Sequence, residues 1–244
     1  MDVSTLEEAK RLVEELSPYV GIFKIGKELF TSEGPTAIKA VREAGGEVFL
    51  DLKFHDIPRT VEGACRAATK HDVYMLNVHA SGGKEMMEAA KRGAIEGSKA
   101  YGTKTPLIVA VTVLTSIDTQ ILNEELGVPG RIEDVVLRYA RLAEDAGLDG
   151  VVCSAKDLEY IRPKLKRDFI YVTPGIKSPT GVVGYDQKRV YTPGKAIWQG
   201  STILVVGSAI RKVLDETTGK MRDATYEEMK ENAKMVLEDM AKYL

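Results

Sequence analysis

The chain has 244 residues, with 34 basic against 36 acidic residues, a formal net charge of −2 and 44% hydrophobic residues. Its charges are intermixed, which excludes the one-sided basic footprint of a nucleic-acid binder and the polybasic patch of a membrane-surface protein. The longest apolar runs are strand-length rather than bilayer-length, and no signal peptide is expected before the first helix.

Ser4-Thr5-Leu6-Glu7 has the form of a capping box and opens a helix over 5–16. Strand-length apolar runs then alternate with stretches of helical period. The predicted strands are Gly21–Gly26, Glu47–Lys53, Tyr74–Ala80, Leu107–Val113, Gly150–Ser154, Ile170–Ile176 and Ile203–Gly207. Helices are predicted over 34–45, 58–71, 83–98, 132–146, 155–165 and 192–199, and a long charged helix over 224–243. Most of the strands are continuous apolar runs, as parallel strands covered on both faces require. Strict βα alternation over 1–244 predicts one α/β domain, a (β/α)₈ TIM barrel. Only seven strands are found, because the chain opens at Met1-Asp2-Val3-Ser4 directly into a helix. A barrel without its first strand keeps two unpaired edges.

Cys65 and Cys153 stand apart in apolar surroundings, which predicts buried free thiols and a reducing cytoplasm. His55, His71 and His79 form no spaced cluster, so no metal site is expected. Trp198 follows Ala196-Ile197 on a helix and is expected as core or interface packing. The last helix carries Met229, Ala233, Met235-Val236 and Met240 as a docking stripe, with its charges on a solvated face.

In such barrels function gathers at the C-terminal ends of the strands. Those ends supply Lys24, Asp51 with Lys53 and Asp56, the stretch Asn77–Gly83, Thr112 with Thr115, Ser154, Pro174-Gly175 and Gly207-Ser208. Two lysines, two aspartates, several hydroxyls and two glycine-bearing loops suit a small anionic ligand, and backbone N–H groups at Gly175 and Gly207 could approach a phosphate. Asp51 and Lys53 are two apart and so share a strand face. A bare D-x-K-x-x-D string is most simply a structural salt bridge.

The longer string Asp51-Leu52-Lys53-Phe54-His55-Asp56-Ile57-Pro58-Arg59-Thr60 resembles the signature of the orotidine 5′-monophosphate decarboxylase family, DLKFHDIPNT in its bacterial form, and departs only at Arg59. The resemblance extends to Phe23–Phe30, Asn77–Gly83, Ala110–Ser116, Gly150–Ala155, Val172–Ile176 and Asp186-Gln187-Lys188-Arg189. Hexulose-phosphate synthases and keto-gulonate-phosphate decarboxylases share D-x-K-x-x-D, but His55-Asp56-Ile57-Pro58 and Leu114-Thr115-Ser116 favour the nucleotide enzyme.

The resemblance implies a cofactor-free, metal-free decarboxylation of orotidine 5′-phosphate to UMP. Lys53 would protonate C6, Asp51 would lie by the departing carboxylate, and Lys24 and Asp56 would complete a charge array. Asp56 and Thr60 would serve the neighbouring subunit's site, which implies a homodimer. Asp2 matches an Asp that ends the family's first strand; that strand is missing here, which reads as a start assigned too late or a trimmed chain. Asp2, Thr60, Thr115, Pro174, Lys177, Gln187, Gly207 and Ser208 are the expected substrate-binding residues. The phosphate end departs from the pattern: Ser208 stands where the family has Arg, Lys177 where bacterial members have Arg, and Thr180 near a usual Gln. Arg211, one turn past Ser208, is expected as a solvated residue beside Lys212. A catalytically weakened phosphate-ligand binder is the reading these departures leave open.

Overall fold

The computed structural model describes residues 1–179, 191–215 and 217–244. Helix α1 (Leu6–Leu16) starts at Thr5, whose hydroxyl accepts from the Glu8 N–H at 3.3 Å, and it buries Ala9, Leu12, Val13 and Leu16. The cap thus sits one residue later than the Ser4 frame. The overlapping Thr5-x-x-Glu8 frame fits the same pattern, and Ser4 is free to donate its hydroxyl to Glu28 at 2.6 Å.

Strand β1 (Ile22–Ile25) leads into two short helices, α2 (Lys27–Glu33) and α3 (Thr36–Glu43), where the sequence suggests one. Gly34-Pro35 separates them, since Gly34 adopts φ +58° and proline lacks the N–H needed to continue a helix. The chain continues through β2 (Glu47–Phe54), α4 (Pro58–Thr69), β3 (Met75–His79), α5 (Gly83–Tyr101), β4 (Leu107–Val111), α6 (Ile132–Asp145) and β5 (Gly150–Val152). The predicted helix over 155–165 is broken into α7 (Leu158–Ile161) between two 3₁₀ turns, the second of which contains Pro163. Strand β6 (Ile170–Thr173), α8 (Pro193–Gln199) and β7 (Ile203–Leu204) complete the alternation.

All seven strands pair in parallel with their neighbours in chain order, β1 to β7. The predicted (β/α) barrel architecture and its seven strands are therefore observed. Period-two alternation divides the core. Phe23, Val48, Leu50, Leu76 and Val78 face the helices, while Ile22, Phe49, Met75, Val109, Val172 and Ile203 form the floor inside the curled sheet. Among the described residues β7 does not pair with β1. Their free edges line one cavity of about 330 Å³, closed by Leu12 and Leu16 of α1.

After β7 the chain forms α9 (Ser208–Arg211) and an antiparallel hairpin, β8 (Lys212–Leu214) with β9 (Met221–Asp223). No apolar run announces this hairpin, because its strands bury little and are joined by an ion pair, Lys212 to Asp223 at 2.7 Å. Helix α10 (Tyr226–Ala241) opens with a capping box of Thr225 and Glu228 and docks through Met229, Ala233 and Val236, as its stripe predicts. Trp198 is 68% exposed, so it belongs to no core of this chain. Among the described residues no helix is long and apolar enough to cross a membrane.

Helices α4 and α5 approach unusually closely. A Cβ at Gly93 would lie 2.2 Å from the Glu62 carbonyl oxygen, and one at Gly97 would lie 2.2 Å from Thr69 Oγ1. Both helices leave from strand ends at the mouth of the sheet, so this contact helps fix the loops there.

Candidate active site

The interior face that carries the apolar floor turns polar one step further along three adjacent strands. Ile22 is followed on its face by Lys24, Phe49 by Asp51 and Met75 by Asn77. Asp51, 8% exposed, is the hub of this ring. Lys53 donates from Nζ to Asp51 Oδ1 at 2.6 Å, Asn77 donates from Nδ2 to the same oxygen at 2.6 Å, and Lys24 Nζ lies 3.1 Å from Asp51 Oδ2. Burial alone would raise the Asp51 carboxyl. The hydrogen bond from Lys53, the charge of Lys24 and the amide of Asn77 outweigh it and hold the group below the usual carboxylate range.

The ladder between β2 and β3 is broken at this point. Leu50 pairs with Leu76 and Phe54 with Val78, so Asp51, Leu52 and Lys53 stand opposite Asn77 alone. Lys53 adopts φ +57°, a left-handed conformation uncommon for a residue with a side chain. Its N–H donates to Asn77 Oδ1 at 2.8 Å.

His79 ends β3, and its ring centroid lies 5.5 Å from that of His55, a pairing that the sequence spacing did not suggest. Burial, with the charges of His55, Lys53 and Lys27, lowers His79 to about 4, so its ring is neutral at physiological pH. Among the described residues no group of His, Cys, Asp and Glu is placed to hold a metal ion.

Asp2, exposed on the N-terminal segment, stands near Lys24: a Cβ at Gly26 would lie 3.3 Å from Lys24 Nζ and 3.8 Å from Asp2 Oδ1. The amino group of Met1 donates to the Lys24 carbonyl at 2.6 Å, and burial together with the charge of Lys24 lowers its pKa to about 5. Arg211 is not the solvated residue expected from sequence. It donates from Nη1 to the Asp2 carbonyl at 2.7 Å, and its Nε is buried without a partner. The reason is that α9 is a single turn that leaves Arg211 against the N-terminal segment.

Among the described residues, none of the other expected ones makes an ion pair with the triad. Asp56 is exposed and accepts from the Ile57 N–H at 2.7 Å. Thr60, Thr115, Lys177 and Ser208 are exposed, while Pro174 and Gly207 are partly buried at the ends of β6 and β7. Gln187 and Thr180 lie outside the described residues. The sequence marks Asn77 only as a strand-end residue; its polar side chain inside an apolar strand is the signal for a role in the site.

The profile of the "Orotidine 5'-phosphate decarboxylase / HUMPS family" matches residues 1–220. A Moorella thermoacetica protein named orotidine 5'-phosphate decarboxylase is 48% identical over 215 residues, covering 88% of this chain and 85% of its own. One of the same name from Dichelobacter nodosus is 49% identical over 215 residues, covering 88% and 91%. The crystal structure of orotidine 5'-phosphate decarboxylase from Lactobacillus acidophilus superposes with a TM-score of 0.80 at 33% identity, covering 98% of this chain and 96% of that one. With an ion triad at the mouth of a (β/α) barrel and a profile match over most of its length, the chain belongs to the orotidine 5'-phosphate decarboxylase / HUMPS family.

Proposed function

We infer that this protein is a carboxy-lyase that converts orotidine 5′-phosphate to UMP in pyrimidine biosynthesis. The observation that carries the reading is the partly buried Lys24–Asp51–Lys53 triad above an apolar floor, in a chain of this family. The C6–carboxylate bond breaks heterolytically, CO₂ departs, and the electron pair stays on C6. The ammonium of Lys53 stabilises that developing carbanion more than it does the bound substrate, which is what lowers a barrier. Lys53 then gives its proton to C6, forming UMP, and is reprotonated from water. Asp51 lies beside the departing carboxylate, so repulsion between the two anions is relieved as CO₂ leaves. The chemistry calls on no metal or organic cofactor. The decisive assay follows the pyrimidine ultraviolet absorbance with orotidine 5′-phosphate. A formaldehyde-dependent aldol reaction in its place would assign the chain to the hexulose-phosphate branch.

The single barrel domain works as a homodimer in the cytoplasm. Ile57, 65% exposed, follows Asp56 and precedes α4, which carries Thr60 in its first turn, and this suits a subunit contact that takes polar groups into the partner's site. The buried thiols suit a reducing compartment: burial pushes Cys65 up to about 12 and Cys153 well above its ordinary value. Asp56→Ala and Lys53→Ala subunits are each expected to be inactive alone. Their mixture should regain activity, because a heterodimer contains one unmutated site. No recovery, with subunit exchange shown independently, would place Asp56 in its own subunit's site.

The phosphate is held by Lys177, Gln187, Gly207, Ser208 and nearby backbone amides. Asp2, Thr115 and Pro174 complete the ligand's surroundings. Arg211 donates to the Asp2 carbonyl, so among the described residues it is committed to the N-terminal segment rather than to Ser208. Ser208→Arg is therefore expected to raise kcat/KM for orotidine 5′-phosphate about tenfold or more, the equivalent of a charge-assisted contact worth roughly 1.5–3 kcal/mol. Turnover of the phosphate-free nucleoside should hardly change. Equal effects on both substrates would show that residue 208 does not meet the phosphate.

A further inference from the structure

We propose that Asn77 is the positioning residue of the ion triad, holding the Lys53 backbone and the Asp51 carboxylate through the two ends of one amide. Lys53 sits where the β2–β3 ladder has lapsed, with three residues facing one. Its N–H has therefore lost its regular strand partner, and its φ of +57° lies in the left-handed region that residues with a side chain adopt uncommonly. The side chain of Asn77 replaces the missing rung: Oδ1 accepts from the Lys53 N–H at 2.8 Å.

The other end of the amide donates to Asp51 Oδ1 at 2.6 Å, the oxygen that also receives Lys53 Nζ. A backbone N–H can only donate and an ionised carboxylate can only accept, so the neighbours dictate which way the amide points. With Lys24 at Oδ2, both oxygens of Asp51 are engaged and the carboxylate has no free rotation. Asn77 is 1% exposed, so solvent cannot readily take over either bond. Replacement by Ala removes both bonds. Asp retains an acceptor for the Lys53 N–H but sets a second carboxylate against Asp51.

The kinetic part of the test rests on the decarboxylase reading, so it is paired with a measurement that does not. In Asn77→Ala, kcat is expected to fall ~10²-fold through misplacement of Lys53, with KM for orotidine 5′-phosphate changed less than about threefold. Hydrogen exchange of the Lys53 amide, read by NMR, is expected to accelerate while amides in β4 keep their protection. Asn77→Asp should move the acid limb of the kcat–pH profile up by about one unit or more, since neighbouring carboxylates resist joint ionisation. A purely structural role would lower the melting temperature and the folded fraction, leaving kcat per folded site and the acid limb in place; that result overturns the proposal. If the parental enzyme does not turn over orotidine 5′-phosphate, the functional reading fails and amide exchange alone decides on Asn77. Unchanged protection of Lys53 in Asn77→Ala overturns the proposal. Should Asn77→Ala not fold, an unshifted acid limb in Asn77→Asp overturns it.

Discussion

Lys53→Ala is expected to lose decarboxylase activity by roughly 10⁴-fold or more, since it removes the group proposed as both proton donor and cation beside C6. The fold should survive. Lys53 reaches over the floor of Phe49, Met75, Val109 and Val172 without belonging to it, and Asp51 retains Lys24 and Asn77 as partners. The substitution should still show itself at low pH. The Asp51 carboxyl is held below its ordinary value, so its contribution to stability is complete above the unfolded value of about 3.9 and is lost as pH falls through the folded one. Its hydrogen bond from Lys53 is the largest of the effects that lower it. Without that bond the acid-unfolding midpoint should move upward. Ultraviolet assays and acid titrations followed by circular dichroism measure the two effects. Near-parental turnover would remove Lys53 from the mechanism, and unfolding at neutral pH would make it a structural residue.

The largest expected stability effect lies outside the site, at Gly93→Ala. The added Cβ would stand 2.2 Å from the Glu62 carbonyl oxygen and 2.9 Å from its carbon. Those atoms are backbone in the middle of α4, so no side chain can swing aside and the helices must part. Overpacking of this kind costs about 3 kcal/mol, and for a chain of this size that lowers Tm by roughly 10 °C. Gly63→Ala provides the control on α4 itself, because its Cβ would meet nothing within 4 Å. That variant should gain about 0.5–1 kcal/mol from better helix propensity. Calorimetry on the pair separates a clash from a general effect of replacing glycine. Equal melting temperatures would mean that α4 and α5 yield easily.

The alternation of elements was legible because fully covered parallel strands leave continuous apolar runs, and all seven were found within a few residues of their bounds. Lys24, Asp51 and Lys53 were legible too: charges at the end of such runs have little reason to be there without partners. Other features depend on where separate strands meet. The bulge opposite Asn77 arises from the register of β2 against β3, and the approach of His55 to His79 from a turn after β2. Neither leaves a periodic trace in one segment. Arg211 was misjudged because its partner, the carbonyl of Asp2, is 209 positions away in the chain.

The cavity between β1 and β7 bears on how ligand and fold are coupled. Strands β2 to β6 are each paired with a neighbour on both sides. The first and last strands face each other across the cavity, and the chain ends are clasped by side chains, Lys230 to Glu15 at 2.6 Å and Arg211 to Asp2. Lys24 projects from one bank of that cavity and Gly207 ends the other. A nucleotide held by both would join the banks, and through linkage its occupancy would stabilise the fold by an amount that grows with its concentration over Kd. In such a molecule the substrate is also a fastener.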